Sequence, residues 1–208
     1  MRNGSQKSKA LFRSFVLADL ITLANAGCGM AAIFLCLNHV AGSHTPYLWS
    51  VFVFLPIAVL CDFVDGFIAR RLASHSLFGA DLDSLADIVS FGVAPAVLGF
   101  ALGLRGLWDA LILIYFVVCG ISRLARFNVT TAALAGPTGK VKYYEGTPIP
   151  TSIVIVIVLG VLLWQGRVDD LILFGFWQIG PWVFHPLTFL YAVNGSTMIS
   201  STIRIPKP

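Results

Sequence analysis

Residues 62–87 read DFVDGFIARRLASHSLFGADLDSLAD, a stretch that places four carboxylates, Asp62, Asp65, Asp83 and Asp87, between two long apolar runs. Carboxylates beside membrane-spanning segments are costly and need partners, because the membrane solvates charge poorly. A divalent cation is the simplest partner for several clustered carboxylates. The stretch therefore predicts a membrane-embedded chain with a metal site at the ends of two spans.

The composition of the whole chain also indicates a membrane protein. Of its 208 residues, 57% are hydrophobic and 12% are charged, and the mean hydropathy is +0.85. Soluble domains carry about 25% charged residues, and a helix needs roughly 20 apolar residues to cross the hydrocarbon core. We therefore predict an all-α integral membrane protein, a six-transmembrane-helix bundle that forms a single domain over residues 1–208.

Apolar runs define the predicted bundle at residues 16–204. The linkers are short except at 129–147, whose glycine, proline and lysine content predicts an exposed loop. Residues 1–15 mix basic and apolar side chains, which is typical of an amphipathic segment on the membrane surface or of a solvated tail. Pro181 and Pro186 predict a kinked or re-entrant start to the last span. The predicted spans are 16–40, 47–72, 82–104, 107–128, 148–166 and 177–202.

Basic residues predict the orientation of the bundle. With six spans, Arg105 and Arg167 fall on one side, and the other twelve of the 14 lysines and arginines fall on the opposite side. The positive-inside rule puts the larger group in the cytoplasm. Both termini and the aspartate block would then face the cytoplasm from the cytoplasmic membrane. The net charge of +4 fits an anionic lipid surface, and no basic stripe with interleaved aromatics indicates a nucleic-acid partner.

The spacing of the aspartates predicts that they converge. Asp62 and Asp65 are three apart at the end of the second span, and Asp83 and Asp87 are four apart at the start of the third. Each spacing puts a pair on one helix face, and a short connection makes the two helices antiparallel neighbours. Oxygen ligands alone favour Mg2+ or Mn2+. A site with two such ions would suit phosphoryl chemistry, because it can neutralise a diphosphate.

Small and basic residues accompany the aspartates. Gly66 and Ala69 leave room for a ligand against the helix, Arg70 can clamp a phosphate, and Gly79, expected in the turn, allows close approach. Taken alone, a glycine here would indicate helix packing and an arginine would indicate topology. Their joint occurrence with the aspartates favours a phosphate-binding metal site. Aspartates that stand apart are interpreted as solvated helix ends: Asp81 and Asp109.

The complete spacing resembles a known family signature. It reads Asp62-x-x-Asp65-Gly66-x-x-Ala69-Arg70, then eight residues, then Gly79-x-x-x-Asp83-x-x-x-Asp87. This resembles the signature of the CDP-alcohol phosphotransferase family, with no departure at a defining position. The resemblance implies a six-span bundle with a cytoplasm-facing site, assembled as a homodimer.

The resemblance also implies a reaction. The hydroxyl of a second substrate would attack a CDP-linked lipid, giving a phosphodiester and CMP. By the same resemblance, Asp62, Asp65 and Asp83 would bind the metal ions, and Asp87 would bind metal or act as the general base on the attacking hydroxyl. The residues that would bind CDP are Asp62, Gly66, Ala69, Arg70 and Gly79, together with the span-end polar groups Thr22 and Asn25.

Shorter motifs resemble the phosphatidylserine synthase branch, the CDP-diacylglycerol–serine O-phosphatidyltransferases. Ser84 stands where the glycerol-phosphate branch usually has proline. One position departs from the serine branch, because Thr147 replaces a frequent leucine. The resemblance implies CDP-diacylglycerol and L-serine as substrates. The motifs are TLANAGCG (22–29), DSLADIVSFGVAPA (83–96), RLARFN (123–128), YEGTPIP (144–150) and STIRIP (201–206).

L-Serine carries both charges, so its site needs a cation and an acceptor. Arg123 and Arg126 could bind its carboxylate, and Glu145 could bind its ammonium. Ser90 and Asn128 are further polar groups at span ends that could serve serine or cytidine. Topology, loop solvation and hydrogen bonds between helices are the alternative explanations for these residues.

Two other interpretations stay open. The same chemistry could use inositol phosphate, glycerol phosphate or choline as acceptor, or an archaeal ether lipid as donor. A cation transporter could also use clustered aspartates, but transporter sites usually lie near the membrane midplane. Here the aspartates lie at span ends beside Arg70, which favours the enzyme.

Overall fold

The computed structural model describes residues 17–42, 45–71, 77–134, 143–167, 174–200 and 204–206. These residues are mostly helical. The helices are α1 (Leu17–Gly42), α2 (Thr45–Arg71), α3 (Leu77–Asp87), α4 (Ala94–Ala101), α5 (Leu107–Leu134), α6 (Ile153–Trp164) and α7 (Phe189–Ile199). The strands are β1 (Tyr143–Glu145), β2 (Trp177–Ile179), β3 (Trp182–Phe184) and β4 (Arg204–Pro206).

Among the described residues, four helices are long and apolar enough to cross a membrane, and they correspond to the first four predicted spans. In the third, a π-helix, Ile88–Val93, joins α3 to α4. This span begins earlier than predicted, because α3 starts at Leu77 and places Gly79 inside a helix rather than in a turn. The four spans are Asp19–Gly42, Pro46–Ile68, Phe78–Ala101 and Leu107–Thr130.

The last two predicted spans differ from the structure. The apolar helix Ile149–Trp164 occupies the fifth, at a length below the roughly 20 residues that a full span needs. The prediction of one helical span over 177–202 is wrong. Its first part is the hairpin β2–β3, in which Ile179 pairs with Trp182 across a Gly180-Pro181 turn. A single 3-10 turn, Pro186–Thr188, and then α7, 11 residues long, follow the hairpin.

The predicted loop at 129–147 is also shorter than expected. Helix α5 continues to Leu134, and β1 pairs antiparallel with β4, with Glu145 opposite Arg204. The predicted amphipathic segment at 1–15 lies outside the described residues. The connection between α2 and α3 also lies outside them.

A buried tyrosine joins the C-terminal helix to the rest of the core. Tyr191 on α7 is fully buried and donates a 2.7 Å hydrogen bond to the carbonyl of Pro95 on α4. Its ring stands edge-on to Phe116 of α5, with 5.3 Å between ring centroids. At Gly99, an added Cβ would lie 2.5 Å from the Tyr191 hydroxyl, so glycine is needed there. These contacts hold α4, α5 and α7 together.

Candidate active site

The ends of α2 and α3 bring three aspartates together. Asp62, Asp83 and Asp87 each offer a carboxylate oxygen, and these oxygens lie within 4.8 Å of one another. Asp87 is 6% exposed, whereas Asp62 and Asp83 are half-buried. The two helix faces therefore converge as the spacing predicts.

Asp65 is held differently from the other three aspartates. It is 4% exposed, and its Oδ2 accepts a 2.7 Å hydrogen bond from Oγ1 of Thr22 on α1. It is not part of the group whose oxygens lie within 4.8 Å. It is nevertheless close enough to interact electrostatically with the other three, so four carboxyl groups share the ends of two helices.

Helix α1 supplies a second side chain to the aspartates. Asn25 is fully buried, and its Nδ2 donates a 3.3 Å hydrogen bond to Oδ1 of Asp87. Thr22 and Asn25 are three apart and so lie on one helix face. The sequence placed both at the CDP site but did not predict that they contact aspartates. It also missed Asp19, a buried carboxylate one turn before Thr22.

The π-helix that follows Asp87 packs closely against α1. Ser90, fully buried within it, donates a 2.9 Å hydrogen bond to the carbonyl of Asn25. At Gly29, an added Cβ would lie 2.8 Å from the Cα of Ser90, so the two backbones approach as closely as glycine allows. π-Helices are rare and occur frequently at functional sites. This π-helix holds α1 beside Asp87, the residue directly before it. No sequence pattern predicted the π-helix.

The donor set fits a hard divalent cation. The three converging groups offer only carboxylate oxygens, which Mg2+ and Mn2+ prefer. Oδ1 of Asp83 is buried and finds no hydrogen-bond partner among the described residues. Leaving such an atom unsatisfied costs about 1–3 kcal/mol or more for a charged group. A bound cation would remove that cost.

The structure describes only part of the predicted CDP site. Gly66 follows Asp65 on α2 and is half-buried, and Gly79 lies on α3. Ala69 and Arg70 belong to the last turn of α2, but their side chains lie outside the described part of the chain.

Most of the predicted acceptor residues have partners within the protein. The guanidinium of Arg123 lies 5.6 Å from the ring centroid of Phe127, and Arg126 Nη1 donates to the carbonyl of Ile199 at 3.3 Å. Ser90 bonds to α1, as described above. Glu145 lies on β1, and its side chain is outside the described residues.

Asn128 joins the end of α5 to the aspartate-bearing helix. Its Nδ2 lies 3.2 Å from Oδ1 of Asp81 and 3.0 Å from Oγ of Ser84. Asp81 is exposed, as predicted for a solvated helix end, although it accepts this bond. The contact brings the end of α5 next to Asp83.

Asp109 is not a solvated helix end, so that prediction is wrong. It is fully buried at the start of α5 and accepts hydrogen bonds from three residues. The donors are the Gly106 amide at 2.9 Å, the His185 amide at 2.9 Å, His185 Nδ1 at 2.5 Å and Thr188 Oγ1 at 2.7 Å. Its partners are up to 79 residues away along the chain, which no local pattern reveals.

Thr147, the departure from the serine branch, contacts α7. Its amide donates to the carbonyl of Thr197 at 3.2 Å, and the two hydroxyl oxygens are also 3.2 Å apart. The preceding Gly146 has a φ of +76°, and an added Cβ would overlap the carbonyl oxygen of Met198. Threonine therefore forms a polar contact that leucine could not form.

Comparison with known proteins matches this site to a family. The family model described as CDP-alcohol phosphatidyltransferase matches residues 15–190. The chain belongs to the CDP-alcohol phosphatidyltransferase family. The matched residues include the whole aspartate block, so membership confirms the resemblance inferred from its spacing.

Three relatives of this chain carry names that refer to serine. The chain is 41% identical over 202 residues to the CDP-diacylglycerol–serine O-phosphatidyltransferase of Saccharomyces cerevisiae, covering 96% of this chain and 73% of that protein. It is 37% identical to the archaetidylserine synthase of Methanothermobacter thermautotrophicus, and the match covers 69% of this chain and 57% of that protein. It is 34% identical to the CDP-diacylglycerol–serine O-phosphatidyltransferase of Bacillus subtilis, and the match covers 67% of this chain and 72% of that protein.

Proposed function

We propose that this chain transfers a phosphatidyl group from CDP-diacylglycerol to L-serine, giving phosphatidylserine and CMP. The observation that carries the proposal is the 41% identity, over 96% of the chain, to a yeast relative named for this reaction. The converging carboxylates at the ends of two spans supply a site suited to a lipid-linked diphosphate.

In the proposed reaction, Asp87 is the general base. The serine hydroxyl oxygen forms a bond to the phosphorus that carries the lipid, and the bond from that phosphorus to CMP breaks. The hydroxyl proton passes to the carboxylate of Asp87. A base must be held within reach of its proton, and the hydrogen bond from Asn25 holds Oδ1 of Asp87, so the second oxygen can face the substrate.

All four aspartates, Asp87 included, would bind the cofactor in this proposal. Two Mg2+ or Mn2+ ions, held by Asp62, Asp65, Asp83 and Asp87, would neutralise the diphosphate and the charge that develops on CMP. Thr22 restrains the Asp65 carboxylate through their 2.7 Å hydrogen bond.

The nucleotide and serine are bound by groups beside the aspartates. Arg70 would bind a phosphate of CDP, and the small residues Gly66, Ala69 and Gly79 would leave room for it. Arg123 and Arg126 would bind the serine carboxylate, and Glu145 would bind its ammonium.

We further infer the architecture and orientation of the enzyme. It would be a single domain whose six membrane helices are the four long spans, α6 and α7, preceded by an amphipathic segment, and would function as a homodimer in the cytoplasmic membrane. The aspartate end and both termini would face the cytoplasm, where twelve of the 14 basic residues fall in a six-span topology.

An ether-lipid donor is a second candidate. The 37% identity to an archaetidylserine synthase supports it. In this alternative, L-serine remains the acceptor and Asp87 remains the base.

Release of CMP tests the proposal. The purified chain in liposomes, given CDP-diacylglycerol and either Mg2+ or Mn2+, should release CMP on addition of L-serine and form phosphatidylserine. Inositol phosphate, glycerol phosphate and choline serve as competing acceptors, and CDP-archaeol serves as the competing donor. Faster CMP release with another alcohol would reject serine. Metal-dependent ion flux without CMP release would instead indicate a transporter.

A further inference from the structure

All five tryptophans of this chain lie at the end of the bundle opposite the aspartates. The end that carries the aspartates contains none of them. Each is between 41% and 79% exposed. They are Trp49 near the start of α2, Trp108 at the start of α5, Trp164 at the end of α6, and Trp177 and Trp182 on the hairpin β2–β3.

Contacts between the helices establish that these positions share one end. Along the axis of α2, Trp49 lies about 20 Å from Asp62, because an α-helix rises 1.5 Å per residue. The last turns of α6 lie beside the first half of α2: an added Cβ at Gly160 would be 3.2 Å from the ring of Phe52. Trp164, at the end of α6, is therefore at the same end as Trp49. Helix α5 runs from Trp108 to Asn128, which contacts the aspartate-bearing α3.

The hairpin is attached firmly to this end. His185, directly after β3, donates from its backbone and its ring to Asp109 at the start of α5. An added Cβ at Gly106 would overlap the carbonyl oxygen of Val183, so β3 lies directly against the start of that helix. The hairpin is therefore held at the level where the spans end.

The chemistry of the hairpin fits neither water nor the hydrocarbon core. Residues 174–184 read FGFWQIGPWVF and contain no charged residue. Exposed apolar side chains crowd this short segment, and water solvates them poorly. Within the part of the chain that the structure describes, the two strands pair only with each other, and open strand edges are not tolerated in hydrocarbon. The exposed side chains are Phe174 at 72%, Phe176 at 53%, Trp177 at 57%, Ile179 at 46% and Trp182 at 48%.

The boundary between lipid headgroups and acyl chains satisfies both requirements. It hydrates the strand edges while it buries the rings, and tryptophan is enriched there because its ring is apolar and its N–H is polar. A second copy of the chain would be expected to cover one face, whereas these tryptophans come from three helices and a hairpin.

We propose that residues 174–184, with Trp49, Trp108 and Trp164, bind the headgroup boundary of the leaflet opposite the aspartates. The hairpin lies in that boundary rather than crossing the membrane. Since the tryptophans lie only at this end, their binding at this boundary fixes how deeply the bundle sits in the membrane.

Quenching of the intrinsic fluorescence tests this without any substitution. The full chain is reconstituted into phosphatidylcholine vesicles that carry bromine either near the headgroup or near the bilayer centre. Shallow bromine should remove most of the emission, and deep bromine should remove less. Equal or stronger quenching by deep bromine would overturn the proposal.

Single-tryptophan variants isolate the hairpin. One retains only Trp177 and the other only Trp182, with the remaining tryptophans changed to phenylalanine. Each should be quenched by shallow bromine and protected from aqueous iodide. Iodide quenching without bromine quenching would place the hairpin in water. Protection from both quenchers would place it against protein, such as a second copy, and either result would overturn the proposal. If these variants do not fold, the unsubstituted chain still decides the outcome.

Discussion

Asn25 on the first span donates a hydrogen bond to Asp87 on the third, at 3.3 Å and across 62 residues of sequence. Three residues earlier, Thr22 donates to Asp65 at 2.7 Å across 43 residues. The first span therefore contacts two of the four aspartates of the signature, one from each pair. Thr22 and Asn25 therefore position carboxylates of the site, and substituting residues on either side of these bonds tests the role of each.

Asn25→Ala should lower turnover while the protein remains folded. A hydrogen bond to a charged group contributes about 1.5–3 kcal/mol, so kcat for CMP release should fall by roughly tenfold or more. Gly27→Ala is the matched control, because an added Cβ there meets nothing within 4 Å. An unchanged kcat for the alanine variant at Asn25 would show that Asp87 needs no positioning.

Asp87→Asn should abolish turnover and leave binding of CDP-diacylglycerol largely intact. The amide keeps the size of the side chain but cannot accept the hydroxyl proton as a base. Single-turnover CMP release, together with binding of the labelled lipid, measures the two effects separately. Loss of lipid binding that added metal does not restore would count against the role of Asp87 as the base.

Asp83→Asn should weaken binding of a divalent cation, because Asp83 belongs to the converging group and has a buried oxygen without a partner. Mn2+ binding by electron paramagnetic resonance measures this without turnover. Asp81→Asn, two residues away and exposed, is the control and should bind Mn2+ normally. Chelation should also lower the thermal midpoint of the unsubstituted protein, since a ligand that binds the folded state stabilises it. If both variants bound Mn2+ equally well, the converging carboxylates would not be the metal site.

Gly29→Ala should destabilise the bundle, because its Cβ would lie 2.5 Å from Oγ and 2.8 Å from Cα of Ser90. Overpacking of this kind costs about 1–3 kcal/mol, and it should also separate α1 from the π-helix. Thermal unfolding in detergent measures the loss, with Gly27→Ala again as the control. Equal midpoints for the two variants would mean that the α1 contact is looser than the structure indicates.

Asp109→Ala should lower stability, because the backbone amides of Gly106 and His185 would lose their acceptor. A buried unsatisfied group costs about 1–3 kcal/mol, so the thermal midpoint should fall by several degrees. CMP release at low temperature should persist, because Asp109 lies at the end opposite the aspartates. A normal midpoint would contradict a structural role for this network.

Some sequence expectations failed where composition could not distinguish conformations. Residues 177–202 are apolar enough for a span, but the Gly180-Pro181 turn, with a φ of +65° at Gly180, reverses the chain into a hairpin. A short apolar run fits either a strand or a helix, so hydropathy alone could not decide between them. Asp109 was expected to be a solvated helix end. The residues that bury it and bond to it lie up to 79 residues later in the chain, so the sequence around Asp109 does not reveal them.

The sequence by itself determined the membrane environment, the first four spans and the carboxylate pairs at three- and four-residue spacing, because hydropathy and helix periodicity are local properties. It also determined the family, because the signature is continuous along the chain. Only the tertiary structure decided that Thr22 and Asn25 contact the aspartates, that Gly29 meets Ser90, and that Asp109 is buried by His185. Those contacts depend on which helix faces meet, and helix packing joins residues that no local pattern connects.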